Sequence, residues 1–217
     1  MATRRTSFEE NEHYHIYNRG VDKRNIFLDR NDVDRFFLSM NLFNAAEPIG
    51  SIYESRFGSL ASKLEKTPLV NFVSYCLNPN HFHFLLEQNT EKGIEKFMQR
   101  LGTGYTKYFN TRYKRTGALF QGVFKSIGID SNDYLLRAAS YINLNDRVHQ
   151  LGSDASKLVR SSWYEYQNEN AVKFCKKDIV LEQFDNRKEH ERFALESIEN
   201  SIERKKQEKE LTDLLLE

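Results

Sequence analysis

Two imidazoles stand two residues apart at His81 and His83, within the run Asn78-Pro79-Asn80-His81-Phe82-His83-Phe84-Leu85-Leu86. On an extended strand alternate side chains share a face, so both histidines point one way while Phe82 and Phe84 point into the opposite layer. Imidazole is a good ligand for borderline divalent metals, and a pair of them supplies half of a metal site. The remaining ligand must come from another part of the chain. On spacing alone, two histidines on a partly exposed polar sheet face are an equally valid reading.

A second pair of reactive side chains occurs in Tyr134-Leu135-Leu136-Arg137-Ala138-Ala139-Ser140-Tyr141-Ile142-Asn143-Leu144-Asn145. If this is a helix, Leu135, Leu136, Ala139 and Ile142 form its buried stripe, and Tyr141 and Asn145 share another face one turn apart. Should that face meet the histidine strand, Asn145 can lend an amide oxygen to the metal and Tyr141 holds its phenol beside it. A free phenol with a pKa of about 10 is a poor nucleophile at neutral pH. Next to a cation that stabilises developing charge on a phosphate, it can attack phosphorus in line and form a covalent link. Such a transesterification conserves the phosphodiester energy, so no nucleotide cofactor is required.

The elements that must position these groups follow from periodicity. Residues 1–11 read as a lead-in, and His13–Asn18 alternates as a strand that Arg19-Gly20 ends. Asp29–Ala46 carries Val33, Phe36, Phe37, Met40, Leu42 and Phe43 at helical spacing behind an Asp/Asn start signal. Glu47–Lys66 holds Pro48, Gly50 and Gly58 without a firm period and reads as an insertion, about 47–67 in extent. Pro68–Leu77 and His81–Gln88 flank the Asn-Pro-Asn turn and form a hairpin. Gly93–Tyr113 predicts a long helix, Phe120–Ile129 a strand, and Ser131 onwards a helix running to about Asn145 with several N-cap candidates. Strand, helix, hairpin, helix, strand, helix implies an α+β fold, an antiparallel sheet with packed helices. Ser161-Ser162-Trp163-Tyr164-Glu165-Tyr166 is an aromatic anchor, and from Lys177 two helical segments make a C-terminal extension. The run Lys205–Glu210 reads as an exposed helical face.

With 217 residues the chain can bury a full core, and 13% aromatic content supplies it. The net charge of +1 excludes no partner, but between Glu91 and Lys125 eight basic residues face two acidic ones. Cys76 and Cys175 form no metal or disulfide pattern, which implies a reducing compartment. The sequence carries no signal peptide and no membrane-spanning run, and the expected location is the cytoplasm.

The ordered motifs together resemble the single-tyrosine HUH transposases, with the REP-associated tyrosine transposases and their insertion-sequence relatives as the most similar branch. The matching stretches are His81-Phe82-His83 after the Pro-Asn turn, Tyr141-Ile142 with Asn145, His15-Ile16-Tyr17-Asn18-Arg19-Gly20, Tyr108-Phe109-Asn110 with Arg115, Leu119-Phe120-Gln121-Gly122 with Lys125, and Ser161-Ser162-Trp163. They span roughly residues 12–166, and residues 167–217 are only weakly similar. The resemblance implies a ferredoxin-like or RNA-recognition-like sheet, His81, His83 and Asn145 as metal ligands, and Tyr141 as a nucleophile forming a 5′-phosphotyrosine. It also implies magnesium or manganese as the ion and single-stranded, hairpin-containing DNA as substrate. The family's Tyr-Ile-His-x-Asn-Pro departs here to Asn143 and Asp146, and Gly122-Val123-Phe124-Lys125 lacks an arginine common in relatives. These departures bear on DNA affinity and target sequence.

The basic helix interleaves charge with Tyr105, Tyr108, Phe109 and Tyr113, as in proteins that hold single strands through phosphates and stacked bases. Arg19, Lys107, Arg112, Lys114, Arg115 and Lys125 are the candidate DNA contacts. Two other readings stand beside strand transfer: a hairpin-binding module without chemistry, and a structural metal site in an unrelated protein. The sequence leaves both a homodimer and a monomer open.

Overall fold

The structure is a computed structural model that describes residues 7–47, 67–149 and 153–214. The insertion expected at Glu47–Lys66 lies, from residue 48 on, outside the described residues. The chain runs β1 (His13–Arg19), α1 (Arg30–Phe43), β2 (Val70–Asn78), β3 (His81–Gln88), α2 (Gly93–Arg112), β4 (Lys125–Gly128), α3 (Asn132–Asn143), α4 (Asn145–Val148), α5 (Ser153–Ser156), β5 (Arg160–Ser161), α6 (Trp163–Gln167), α7 (Asp178–Leu181) and α8 (Arg187–Leu214). The sheet is antiparallel in the order β4-β1-β3-β2-β5. Its first four strands and two helices trace β-α-β-β-α-β, the ferredoxin-like arrangement anticipated above.

Alternation divides the sheet into two faces. Tyr14, Ile16, Phe72, Tyr75, Phe82, Phe84 and Leu86 enter one buried cluster with Val33, Phe36 and Met40 of α1 and Phe97, Leu101 and Tyr105 of α2. On the other face Cys76 and Leu85 pack with Leu135, Ala139 and Ile142 of α3, Tyr166 of α6 and Val180 of α7. A register shift between Phe72 and Ser74 lets β2 feed both layers, Val73 entering the second cluster. Outside α3 lies α8, whose Ala194 and Ile198 bury Leu144 and Val148. Full burial of each such side chain contributes about 1.5–3 kcal/mol, so α3 is held from both sides.

Local signals set most boundaries. Asp29 accepts a hydrogen bond from the Asp32 amide at 3.1 Å and starts α1, and Ser131 does the same for Tyr134 in α3. The C-terminal end of α2 is tied to the start of α1 by Arg112, which reaches Asp29 at 2.5 Å and the fully buried Asp32 at 2.6 Å. Asp32 also accepts from the Tyr108 hydroxyl, the Tyr113 hydroxyl and the Leu28 amide. This buried carboxylate is therefore fully satisfied, as burial of a charge demands.

Two expected elements come out shorter. The strand expected at Phe120–Ile129 forms only at Lys125–Gly128, with a single bridge from Phe120 to Gly20 before it. Gly117 and Gly122 take positive φ, and the backbone loops away between them and the strand. The helix expected to reach Asn145 pauses at Leu144, where φ −113 and ψ 24 leave helical geometry, and restarts as α4. Residues 7–11 lie along the sheet: the Phe8 ring meets Tyr14 edge-on at 4.8 Å, and its carbonyl accepts from Gln88.

Candidate functional site

The strand register builds two rows of side chains across the α3 face of the sheet. Lys125, Tyr17, His83 and Cys76 pair in one row, and Arg19, His81 and Asn78 in the next. α3 crosses this face and brings the Tyr141 ring to 5.8 Å from His83 and 6.2 Å from His15. The helix pause at Leu144 turns Asn145 inward, so its Oδ1 lies 3.1 Å from Nε2 of His81. His81, His83, Tyr141, Arg19 and Lys125 line one cavity of about 710 Å3, together with Tyr17, Lys23, Gln121 and His149. Four side chains from separate parts of one chain, His81, His83, Tyr141 and Asn145, are thus brought together.

Hydrogen bonds orient each imidazole. Nδ1 of His81 lies 2.6 Å from Oδ1 of Asn80, an acceptor, so this nitrogen carries the proton and Nε2 presents a lone pair. Asn78 Nδ2 donates to that Nε2 at 3.0 Å and to Asn145 Oδ1 at 2.8 Å. Nδ1 of His83 meets Nε2 of His15 at 2.8 Å. Burial holds the His15 imidazole down at about 4, so it is neutral at pH 7. With the proton on His83 Nδ1, the other nitrogen of His83 turns its lone pair to the cavity, and His15 fixes the ring in the manner of a metal site's outer shell.

The donor set fits a divalent ion. The His81 and Asn145 acceptors lie 3.1 Å apart and are bridged by the Asn78 amide, whose hydrogen bonds an ion at this point would replace. Ligand atoms at right angles on an ion with 2.1 Å bonds are separated by about 3 Å. Nδ2 of Asn145 is buried without a hydrogen-bond partner among the described residues. An orphaned amide N–H costs about 1–3 kcal/mol, and it is explained if the amide is oriented for its oxygen.

The comparison with known families falls on the segment that carries these groups. Residues 48–145 match the model of the IS200-like transposases. Over that stretch, which is less than half of the chain, the sequence is similar to the IS200-like transposases. The matched segment includes His81, His83, Tyr141 and Asn145 and ends on Asn145, leaving β1 and His149 outside. No curated protein matches the sequence. Among solved structures, a REP-associated tyrosine transposase bound to a REP hairpin aligns at a TM-score of 0.48 with 11% identity, covering 76% of this chain and 84% of that one. A bacterial tRNA(His) guanylyltransferase-like protein in complex with ATP aligns at 0.33 with 10% identity, covering 71% and 68%. Both likenesses are too distant to bear on chemistry.

The six basic candidates occupy different places in the fold. Arg19 and Lys125 line the cavity, Arg19 held by a hydrogen bond to Gln121. A Cβ on neighbouring Gly20 would lie 2.2 Å from the Arg24 carbonyl oxygen, so this tight turn, which sets Arg19 and Asn80 side by side, requires glycine. Lys107 lines a neighbouring, mostly apolar groove of about 610 Å3 between α2 and the loop to β4. Arg112 is committed to Asp29 and Asp32, Arg115 to Asn110 at 2.6 Å and to the Ala118 carbonyl, and Lys114 is exposed at the end of α2. Position 143 is structural: the Asn143 amide oxygen accepts from Ser162 at 2.5 Å, and Ser162 also bonds the Tyr75 backbone, which explains the Ser-Ser-Trp segment as a pin between α3 and β2. Sequence reasoning passed over His149 and named His15 only within a matching stretch, with no role of its own. His149 had a signal, since Tyr141, Asn145 and His149 recur every four residues on one helical face. His15 had only the strand alternation it shares with Tyr17. Among the described residues no helix is long and apolar enough to cross a membrane.

Proposed function

We propose that this protein is a metal-dependent single-stranded DNA transesterase that nicks and rejoins strands near hairpins, through a 5′-phosphotyrosine on Tyr141. The observation that carries this reading is the convergence of the Tyr141 ring and both strand imidazoles on one open cavity, with the buried Asn145 oxygen 3.1 Å from Nε2 of His81 behind it. His81, His83 and Asn145 would hold the ion, with magnesium or manganese as the family's expectation. When bound, a divalent cation polarises the scissile phosphate and stabilises the charge that develops on it.

The chain's own residues account for the rest. Arg19 and Lys125 on the rim attract the phosphodiester, with Lys107, Lys114 and Arg115 extending the basic surface along α2, while Arg112 is committed to Asp29 and Asp32. Tyr141 sits on a helix held between the sheet and α8, so its phenol is pre-positioned, which lowers the entropic cost of in-line attack. As the Tyr141 oxygen bonds to phosphorus it gives up its proton, the bond from phosphorus to the 3′ oxygen breaks, and that oxygen leaves as a hydroxyl after taking up a proton. Rejoining is the reverse attack by a 3′ hydroxyl. The two buried thiols, Cys76 and Cys175, agree with work in the cytoplasm.

The test is incubation with labelled single-stranded hairpin DNA and manganese, followed by a denaturing gel. A covalent band is expected that disappears with Tyr141→Phe and with chelator. A shifted band on a native gel with none on the denaturing gel would assign the protein to hairpin binding without chemistry.

A further inference from the structure

We infer that His149 is a further ligand of the ion at this site, and that the resident metal is a borderline transition-metal dication in preference to magnesium. One ring nitrogen from each of His81, His83 and His149 lies within 4.8 Å of the others. The His149 ring meets the His81 ring at 4.8 Å and 70°, while His81 and His83 meet at 5.2 Å and 88°. Three imidazoles therefore face one point from a strand and from the end of a helix. Nitrogen ligands on one zinc-sized ion, with bonds of about 2.0–2.1 Å, sit roughly 3–3.5 Å apart. Closing the present spacing takes a displacement of at most roughly 1.5 Å, which the exposed His149, at the end of α4, makes by rotating its side chain.

The chemistry of the lining argues for the metal class. The cavity carries no aspartate or glutamate, and its anion-attracting groups are Arg19, Lys23 and Lys125. Magnesium is a hard ion that depends on carboxylate and phosphate oxygens and keeps its waters. Three neutral imidazoles and one amide oxygen offer it no anionic ligand. The same set suits zinc, cobalt or nickel, for which imidazole is a preferred donor and three histidines with an open position are an established catalytic arrangement. Oxygen donation from Asn145 leaves room for the substrate phosphate. The inference rests on the metal-holding part of the function proposed above and adds a ligand and a selectivity to it.

The test is titration of the full chain with Co2+, read by its visible d–d absorption and by calorimetry, for the wild type, His149→Ala and His149→Gln. The wild type is expected to bind one Co2+ that Zn2+ displaces and a thousandfold excess of Mg2+ does not. Both variants are expected to lose affinity by about tenfold or more, with a changed band position and intensity. Unchanged affinity and spectrum in both variants, or displacement by equimolar Mg2+, would overturn this inference and leave a two-histidine site standing. Failure of the wild type to bind Co2+, Mn2+ or Mg2+ at all would overturn it together with the metal dependence of the proposed reaction.

Discussion

The amide oxygen of Asn145 lies 3.1 Å from Nε2 of His81, across 64 residues of chain, and both accept from the same Asn78 amide. Two lone pairs are therefore aimed at one small region by different elements. Asn145→Ala is expected to weaken Mn2+ binding about 10- to 100-fold, measured by calorimetry. Asn145→Asp keeps the acceptor oxygen, replaces the amide nitrogen by a second, charged oxygen and is expected to restore or tighten binding. Equal affinity in Asn145→Ala and wild type would rule Asn145 out as a ligand.

Arg19 and Lys125 reach the cavity, whereas Arg112 is spent on two carboxylates. Arg19→Gln and Lys125→Gln are each expected to flatten the log-log salt dependence of single-stranded DNA binding by roughly 0.7. Arg112→Gln is expected to lower Tm instead and leave the salt slope as it is. A flattened slope with an unchanged Tm in Arg112→Gln would move that residue to the DNA surface.

Asp32 is fully buried, and four donors converge on it. Asp32→Ala leaves a guanidinium, two phenols and an amide without their acceptor, and the expected loss is about 3–5 kcal/mol. Urea unfolding monitored by circular dichroism measures it. A loss below about 1 kcal/mol, the scale of an exposed pair, would show that the α1–α2 clamp carries little of the stability.

His190 is buried between Trp163, Tyr166 and Phe184, and neither ring nitrogen has a hydrogen-bond partner among the described residues. Burial, with Arg187 nearby, pushes its pKa from 6.5 down to about 4. The unfolded chain thus binds the proton more readily, so this group's contribution is full above pH 6.5 and is lost as the pH falls towards 4. His190→Leu is expected to be more stable by about 1–2 kcal/mol at pH 7 and to lose the slope between pH 6.5 and 4. Parallel pH profiles of Tm for the two proteins would refute this.

Much of the site was legible because its spacings are local. His81 and His83 share a face through the two-residue period of a strand, and the turn at Pro79-Asn80 fixed which strand carries them. Tyr141 and Asn145 share a face through the helical period, and the β-α-β-β-α-β order followed from the same two periods. What stayed hidden depends on register and on distant partners. His15 reaches His83 because Tyr17 sits opposite His83, a pairing set by the whole of β1 against β3. β5 has two residues and exists because Ser161 lies opposite Cys76 and Ser162 grips Tyr75. The commitment of Arg112 could not be read either, because a lysine- and arginine-rich helix looks the same whether its charges meet phosphates or a buried aspartate 80 residues away.

All the donors around the cavity belong to a single polypeptide, and this bears on stoichiometry. On the proposed reaction, Tyr141→Phe and His81→Ala chains are each expected to be inactive, and a mixture of the two is expected to recover no activity, since the tyrosine and the imidazoles meet within one copy.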